Sequence, residues 1–238
     1  MGESDVFPTL FIAWRDPVAE LSEADLERLA RSASGLRGLA GGLAFTPISA
    51  EGEHPFARDG GGPPLVLQLD FDAADDLDAA LSAEGPLAEI VRRGGLPSLA
   101  GAAVGRQRMI GRRFAVPDPV SRLASGARLC TFLVEYPGTT ADLEAWLDHY
   151  DAHHPPIMRR FPGIREVATF RPAPSERDAL PCERECSMQR NKVVFDSAAA
   201  LVAALDSPVM AEMRADLAAF PPFSRRPTHH AMATHRIA

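Results

Sequence analysis

The chain has 238 residues and a net charge of -7, and 46% of its residues are hydrophobic. This composition is typical of a globular protein of one or two domains, and its acidic balance excludes a general nucleic-acid binder, which needs a basic face to displace counterions from phosphates. The sequence contains neither an apolar run of the roughly 20 residues that span a bilayer nor a secretory signal at its start, so we expect a cytoplasmic protein without membrane or nucleic-acid partners.

The first half of the chain is predicted to alternate strands and helices. Apolar runs bounded by turn residues indicate the strands, and an apolar stripe with helical spacing indicates the helices. In chain order the expected elements are a strand at 9–14, a helix at 22–36 that Ser22 caps, strands at 42–46 and 65–71, a helix over 73–92 that Pro86 interrupts, and a strand at 104–114.

The second half repeats this order after a linker at 116–127 that is rich in proline, serine and glycine. Pro155 and Pro156 are expected to end or bend the first helix of this half, because the ring of proline cannot continue the helical hydrogen-bond ladder. The expected elements are a strand at 129–136, a helix at 142–161 with Thr140 near its start as a cap, strands at 164–171 and 192–195, a helix over 197–219 that Pro208 interrupts, and a strand at 229–237.

Short motifs confirm that the two halves are copies of one unit. The sequence FDAA at 71–74 recurs 124 residues later as FDSA at 195–198, and FTP at 45–47 recurs 125 residues later as FRP at 170–172. Each copy therefore has the order βαββαβ, which is the ferredoxin-like unit. Because such a unit leaves one sheet face open, two tandem units can bury these faces against each other.

The first helix of the second copy carries most of the residues that could perform chemistry. Tyr150 and His154 are four residues apart, as are His149 and His153, so each pair shares a helix face. A histidine titrates near neutrality and can transfer a proton without a cofactor, and a tyrosine can donate a hydrogen bond to a developing oxyanion. The alternative interpretation is that these side chains only pack in the core.

This segment resembles the EthD-like family of the dimeric α+β barrel superfamily. The residues that carry the resemblance are Trp146, Tyr150, the sequence HPP at 154–156 and the sequence FPGI at 161–164. The resemblance implies an α+β fold in which two tandem ferredoxin-like units, at 1–116 and 128–238, pack sheet to sheet as an intrachain barrel. It also implies a pocket between each sheet and its own helices, and it singles out His154 among the histidines.

Relatives of this kind include cofactor-free isomerases, cyclases, decarboxylases and monooxygenases that act on hydrophobic, often aromatic, compounds. We therefore expect a cofactor-independent lyase, isomerase or decarboxylase in the second unit, with a degenerate site in the first unit. The alternatives are a cofactor-free monooxygenase of phenolic compounds and a barrel that only binds a hydrophobic ligand. A homodimer is a further expectation.

The residues assigned to this site fall into two groups. The expected catalytic residues are His154, Tyr150 and His153, and the expected substrate-binding residues are Trp146, His149, Phe161 and His229.

Strand alternation places His229 and His235 on one face of the last strand and His230 on the other. Two histidines four apart could also bind zinc together with one from this strand, but the glutamate of the HExxH motif is missing, so neither a metal nor a cofactor is predicted.

Overall fold

A computed structural model describes residues 6–16, 18–48, 62–123, 126–174 and 178–238. Residues 124 and 125 of the predicted linker lie outside these residues. The strands of the described residues are β1 Val6–Arg15, β2 Leu39–Pro47, β3 Leu65–Phe71, β4 Ala103–Phe114, β5 Cys130–Tyr136, β6 Ile164–Pro172, β7 Glu183–Arg184, β8 Gln189–Phe195 and β9 Thr228–Arg236. The α-helices are α1 Glu23–Ser34, α2 Ala74–Ala80, α3 Pro86–Val91, α4 Leu143–Met158, α5 Ala198–Leu205 and α6 Val209–Ala219.

Eight of these strands form a closed antiparallel barrel. The first half contributes four strands in the order β4-β1-β3-β2, and the second half contributes four in the order β9-β5-β8-β6. The two sheets also pair at both edges, β2 with β9 and β4 with β6, and the short β7 lies parallel to β4. The predicted intrachain α+β barrel is therefore confirmed.

The helices cover the outside of the barrel, and both faces of the strands are buried. On β1, Leu10 and Ile12 pack against the helices of the first half, whereas Phe7 and Phe11 point into the lumen. This arrangement explains why the strands read as nearly continuous apolar runs. Because one chain closes the barrel, a second copy is not needed to complete it, and the homodimer stays a prediction that light scattering would test.

A close approach in the lumen makes Gly111 of β4 sensitive to substitution. A Cβ atom at this position would collide with the ring of Phe7 and would lie 3.1 Å from the ring of Phe170. We therefore expect Gly111→Ala to lower the free energy of unfolding by about 1–3 kcal/mol through overpacking, as measured by urea denaturation. Gly41→Ala on β2 is the matched control, since its Cβ would meet no atom within 4 Å. Equal losses in both variants would contradict the prediction.

The structure differs from the sequence prediction at both ends of α4. Asp142, not Thr140, caps the helix, since its carboxylate accepts a hydrogen bond from the Ala145 N–H at 3.0 Å. Pro155 and Pro156 do not end the helix, which continues to Met158. Both prolines lie in the last turn, where the buried side chains of Pro155 and Met158 hold it on the sheet.

The other elements agree closely with the prediction. The second helix of each half is interrupted where Pro86 and Pro208 stand, as expected, and Ser22 caps α1 by accepting from the Asp25 N–H. Strand β8 begins three residues earlier than predicted, at Gln189. No helix within the described residues has both the length and the apolar character needed to cross a bilayer.

Candidate active site

Helix α4 lies on the sheet of the second half and buries one face. Trp146, Tyr150 and His154 follow each other at four-residue intervals, so they line this face one turn apart. Trp146 and Tyr150 are 0% exposed and His154 is 5% exposed. The structure thus brings together three of the predicted site residues in the position that the spacing favours.

Aromatic rings surround these three side chains. The rings of Trp146 and Tyr150 stack at 5.5 Å with an interplanar angle of 24°. Tyr136 from β5 lies 5.2 Å from the Trp146 ring and 5.5 Å from the Tyr150 ring. Phe220, which follows α6, packs edge-on against Trp146 at 5.4 Å and against His154 at 5.1 Å. The histidine therefore lies in a mostly apolar environment at the end of an aromatic cluster.

His154 has an acidic partner on a neighbouring helix. Its Nδ1 atom lies 2.6 Å from Oδ2 of Asp216 on α6, and the two side chains are 7% and 10% exposed. No hydrogen bond to the Nε2 atom is found among the described residues. A carboxylate that accepts from Nδ1–H fixes the tautomer in which Nε2 carries the free lone pair. This pair has the geometry of a general base held in one orientation.

Tyr150 is held by a buried amide. Asn191 on β8 donates a hydrogen bond from Nδ2 to the Tyr150 hydroxyl at 2.6 Å, and the Tyr150 hydroxyl in turn pairs with that of Tyr136. Burial raises the pKa of Tyr150 well above its usual value, against a smaller opposite effect of the neighbouring Gln189 amide. Burial also raises the pKa of Tyr136. Both phenols therefore stay protonated and act as hydrogen-bond donors.

The remaining predicted residues lie at different distances from this cluster. His149 is half-buried and its ring is 5.5 Å from that of Phe220. Phe161 is buried in the same hydrophobic core, just beyond the end of α4. His229 is half-buried and stacks on Phe132 of β5 at 5.5 Å, on the helix-facing side of the sheet.

The structure does not bring His153 into the cluster. His153 is exposed, and its Nδ1 atom lies 2.7 Å from the carbonyl oxygen of His149. It lies on the neighbouring face of the helix, one residue away from the buried stripe. We therefore do not carry it forward as a catalytic residue.

Asp216, Asn191 and Phe220 were not identified from the sequence. Asp216 lies 62 residues from His154 and Asn191 lies 41 residues from Tyr150, so no local spacing connects them. One usable signal was the scarcity of tyrosine. The chain has only two, Tyr136 and Tyr150, and their rings meet in this cluster.

The corresponding helix of the first half, α1, contains no histidine, tyrosine or tryptophan. Helix α1 exposes Arg28 and Arg31 and buries Leu29 and Ala33 in the core. Its buried carboxylate, Asp25, accepts hydrogen bonds from the N–H and the hydroxyl of Ser98 at 2.8 and 2.6 Å. The described residues of the whole chain contain no group of three or more histidine, cysteine, aspartate or glutamate side chains that could hold a metal ion.

One mouth of the barrel carries a network of charges centred on the buried Arg190. Glu135 of β5 lies 3.2 Å from Arg190 and 3.3 Å from Arg15, and both arginines also pair with Glu185. Burial alone would raise the pKa of Glu135, but the two guanidinium groups and the Ser187 hydroxyl outweigh it and lower the pKa to about 2. This network ties β1 of the first half to β5 and β8 of the second.

An open pocket of about 370 Å³ lies beside this network and reaches the start of α4. Its lining includes Thr139, Thr140, Leu143 and Met188. Leu143 and Met188 also pack in the hydrophobic core that contains Trp146 and Tyr150. The pocket is therefore separated from the aromatic cluster by side chains of that core.

Solved structures with the same fold are similar over nearly the whole chain. An anthrone oxidase-like protein is 12% identical, with a TM-score of 0.56, and the match covers 99% of this chain and 95% of that one. A candidate monooxygenase from Fusobacterium nucleatum is 6% identical, with a TM-score of 0.57, and the match covers 98% of this chain and 94% of that one. At these identities the likeness shows the fold, that of the dimeric α+β barrel proteins.

An EthD family protein from Bacillus halodurans is also among the similar structures, at 19% identity and a TM-score of 0.34. That match covers 42% of this chain and 95% of the other. No protein-family model matches the chain, and no curated protein matches it significantly.

Proposed function

We propose that the chain is a cofactor-independent enzyme that removes a proton from a hydrophobic aromatic substrate, with His154 as the general base. The observation that carries this proposal is the buried pair of His154 and Asp216, next to Tyr150 in an aromatic cluster. The carboxylate holds Nδ1–H, so Nε2 is the nitrogen that accepts the proton.

Tyr150 stabilises the negative charge that this step creates. When a proton leaves a carbon that is conjugated with a carbonyl group, the negative charge moves to the carbonyl oxygen of the substrate. A protonated phenol that accepts from Asn191 can turn its own hydrogen from the Tyr136 hydroxyl to that oxygen. In a site from which water is excluded, such a donor stabilises the negative charge more strongly than it would in solution.

The fate of the resulting carbanion separates the two enzyme classes. Reprotonation at another carbon gives an isomerase, and expulsion of a leaving group from the adjacent carbon gives a lyase. Reaction with O2 gives an oxidation. This reaction is the second candidate because the two structures with TM-scores of 0.56 and 0.57 are named as an anthrone oxidase-like protein and a candidate monooxygenase. For anthrone the balanced oxidation is anthrone plus O2 to anthraquinone plus water.

An assay with anthrone, run under air and under nitrogen, tests this proposal. The purified chain, treated with a chelator and free of flavin, is incubated with anthrone while O2 and absorbance are recorded. If the enzyme is an oxidase, we expect O2 and anthrone to be consumed in equal amounts and faster than in the spontaneous reaction. Turnover of enolisable aromatic ketones under nitrogen would instead assign it to the isomerase or lyase class. Recovery of every compound unchanged would reject catalysis and favour a ligand-binding barrel.

A further inference from the structure

A single lysine lies in the lumen of the barrel. Lys192 is the only lysine among the 25 basic residues of the chain, and all the others are arginine. It is 2% exposed. In the pairings of β8 it lies opposite Leu133 of β5 and Ala168 of β6, which belong to the same buried cluster of the lumen as Phe11. Its side chain therefore lies on the opposite face of the sheet from the helices and from His154.

A buried cation in this lumen does not require a lysine. Arg190, two residues earlier on the same face of β8, is 1% exposed and pairs with Glu135 and Glu185. Unlike the guanidinium of arginine, the amine of lysine can lose its proton within a protein, and the neutral amine is then a nucleophile. One lysine in a chain that otherwise uses arginine therefore indicates a role for the amine beyond its charge.

Two carboxylates lie near this amine. The Oε1 atom of Glu166 on β6 is 3.2 Å from Nζ of Lys192. Asp70 of β3 accepts hydrogen bonds from the Thr9 hydroxyl and from the Gln68 amide, both at 2.9 Å. Burial raises the pKa of the Asp70 carboxyl, and the charge of Lys192 opposes this effect, so the two groups interact electrostatically. The amine thus has one carboxylate in direct contact and a second one close by.

Two partly exposed side chains lie at this end of the lumen. Glu166 is 34% exposed, and Arg113, which contacts Asp70 at 2.9 Å, is 39% exposed. The guanidinium of Arg113 lies over the ring of Phe7 at 3.8 Å. The Oε1 atom of Gln68, the neighbour of Asp70, is buried without a hydrogen-bond partner among the described residues. A small molecule can therefore reach the amine when the Glu166 side chain moves aside, and it finds one hydrogen-bond acceptor there.

We propose that Lys192 forms a Schiff base with the carbonyl group of a small aldehyde or ketone, with Glu166 as the group that takes up its proton. The ammonium gives a proton to Glu166, and the neutral amine attacks the carbonyl carbon. A C–N bond forms, and the carbonyl oxygen takes up a second proton from the nitrogen. Glu166 then returns its proton to the hydroxyl group, the C–O bond breaks, and water leaves. The charge of Asp70 stabilises the protonated imine that remains.

Reductive labelling of the intact chain tests the proposal. Acetaldehyde with cyanoborohydride converts an imine into an ethylated amine, and the chain has two primary amines, Lys192 and the α-amino group of its first residue. At pH 7 an ordinary lysine, with a pKa of about 10.4, reacts far more slowly than an α-amino group, with a pKa of about 7.7–8.0. We expect Lys192 to be labelled at least as fast as the α-amino group, as measured by peptide mass spectrometry. Slower labelling of Lys192 would overturn the proposal.

The variant Glu166→Gln separates a role in this step from simple ion pairing. If Glu166 takes up the proton, the variant should label Lys192 about 10²-fold more slowly and leave the α-amino group unchanged. If the carboxylate only stabilises the ammonium, its removal favours the neutral amine, so labelling becomes faster and the proposal fails. The matched control is Glu212→Gln, because Glu212 is 49% exposed and pairs with Arg160 on the surface. This control should label like wild type.

The labelling does not depend on the proposed function. His154→Ala should leave the rate at Lys192 within about twofold, because the two side chains lie on opposite faces of the sheet. Lys192→Met should remove the internal label and keep the label of the α-amino group. Unlabelled Lys192 with turnover of an aromatic substrate rejects the Schiff base alone, and a labelled Lys192 without such turnover rejects the His154 assignment alone.

Discussion

Replacing His154 with alanine is expected to lower kcat by about 10²–10⁴-fold, which is the usual contribution of a general acid or base. This loss corresponds to roughly 3–5 kcal/mol of activation free energy. The reason is geometric, since the Nδ1 atom is bound to Asp216 at 2.6 Å and Nε2 is the nitrogen left for the substrate. The measurement is steady-state kinetics on the substrate that the anthrone and ketone assays identify.

Three further variants make this prediction specific. His154→Gln should lose nearly as much activity, because an amide cannot take up the proton. Asp216→Asn should lose nearly as much, since its amide can donate to Nδ1 and hold the imidazole in the wrong tautomer. His153→Ala, the same substitution at the exposed neighbouring histidine, should change kcat little. If His154→Gln keeps wild-type kcat with an unchanged melting temperature, the histidine only packs in the core.

Replacing Glu135 with glutamine is expected to lower the free energy of unfolding by about 3 kcal/mol at pH 7, by linkage of the lowered pKa to stability. The pKa of this carboxyl falls from 4.5 to about 2 in the folded chain, since Arg190 and Arg15 outweigh the effect of burial. Because the folded pKa is the lower one, the stabilisation is complete above pH 4.5 and is lost as the pH falls to about 2. Urea denaturation from pH 7 to pH 2 measures it.

The difference between wild type and Glu135→Gln should therefore shrink steadily below pH 4.5. Glu27→Gln is the control, since Glu27 is 67% exposed and its pair with Arg31 spans one helical turn on the surface. Such exposed pairs contribute at most about 1 kcal/mol, so the control should stay close to wild type at every pH. A difference between wild type and Glu135→Gln that is the same at pH 7 and pH 2 would show that the carboxylate charge is not responsible.

Most of the fold could be predicted because its signals are local and occur twice. The repeated motifs at 71–74 and 195–198 fix the alignment of the two halves, and Pro86 and Pro208 interrupt the same helix in each. The start of β8 could not be predicted, because residues 189–192 are all polar and yet all buried. Arg190 and Asn191 pair on opposite faces of the strand with Glu135 and Tyr150, which lie far away in the sequence.

The candidate site, like the fold, has residues that could be predicted from the sequence and residues that could not. Trp146, Tyr150 and His154 could be found because one helix carries them at regular spacing. Asp216 could not be found, because it is one of 32 acidic residues and its own helix has no distinctive pattern. Pro155 and Pro156 were expected to end or bend the helix predicted over 142–161, and the observed helix α4 continues past both of them to Met158. The rule that proline ends a helix considers the helix alone and does not include the packing of its last turn against the sheet.

Because one chain forms the whole barrel, a substitution in one half does not occur in the other half. In a barrel of two identical chains, every substitution is made twice, so a histidine gained on one helix is gained on both. Here α1 and α4 are separate stretches of sequence, and a change in one leaves the other untouched. The arginines of α1 and the histidines of α4 show how far they have diverged. We therefore expect one ligand at α4 and none at α1.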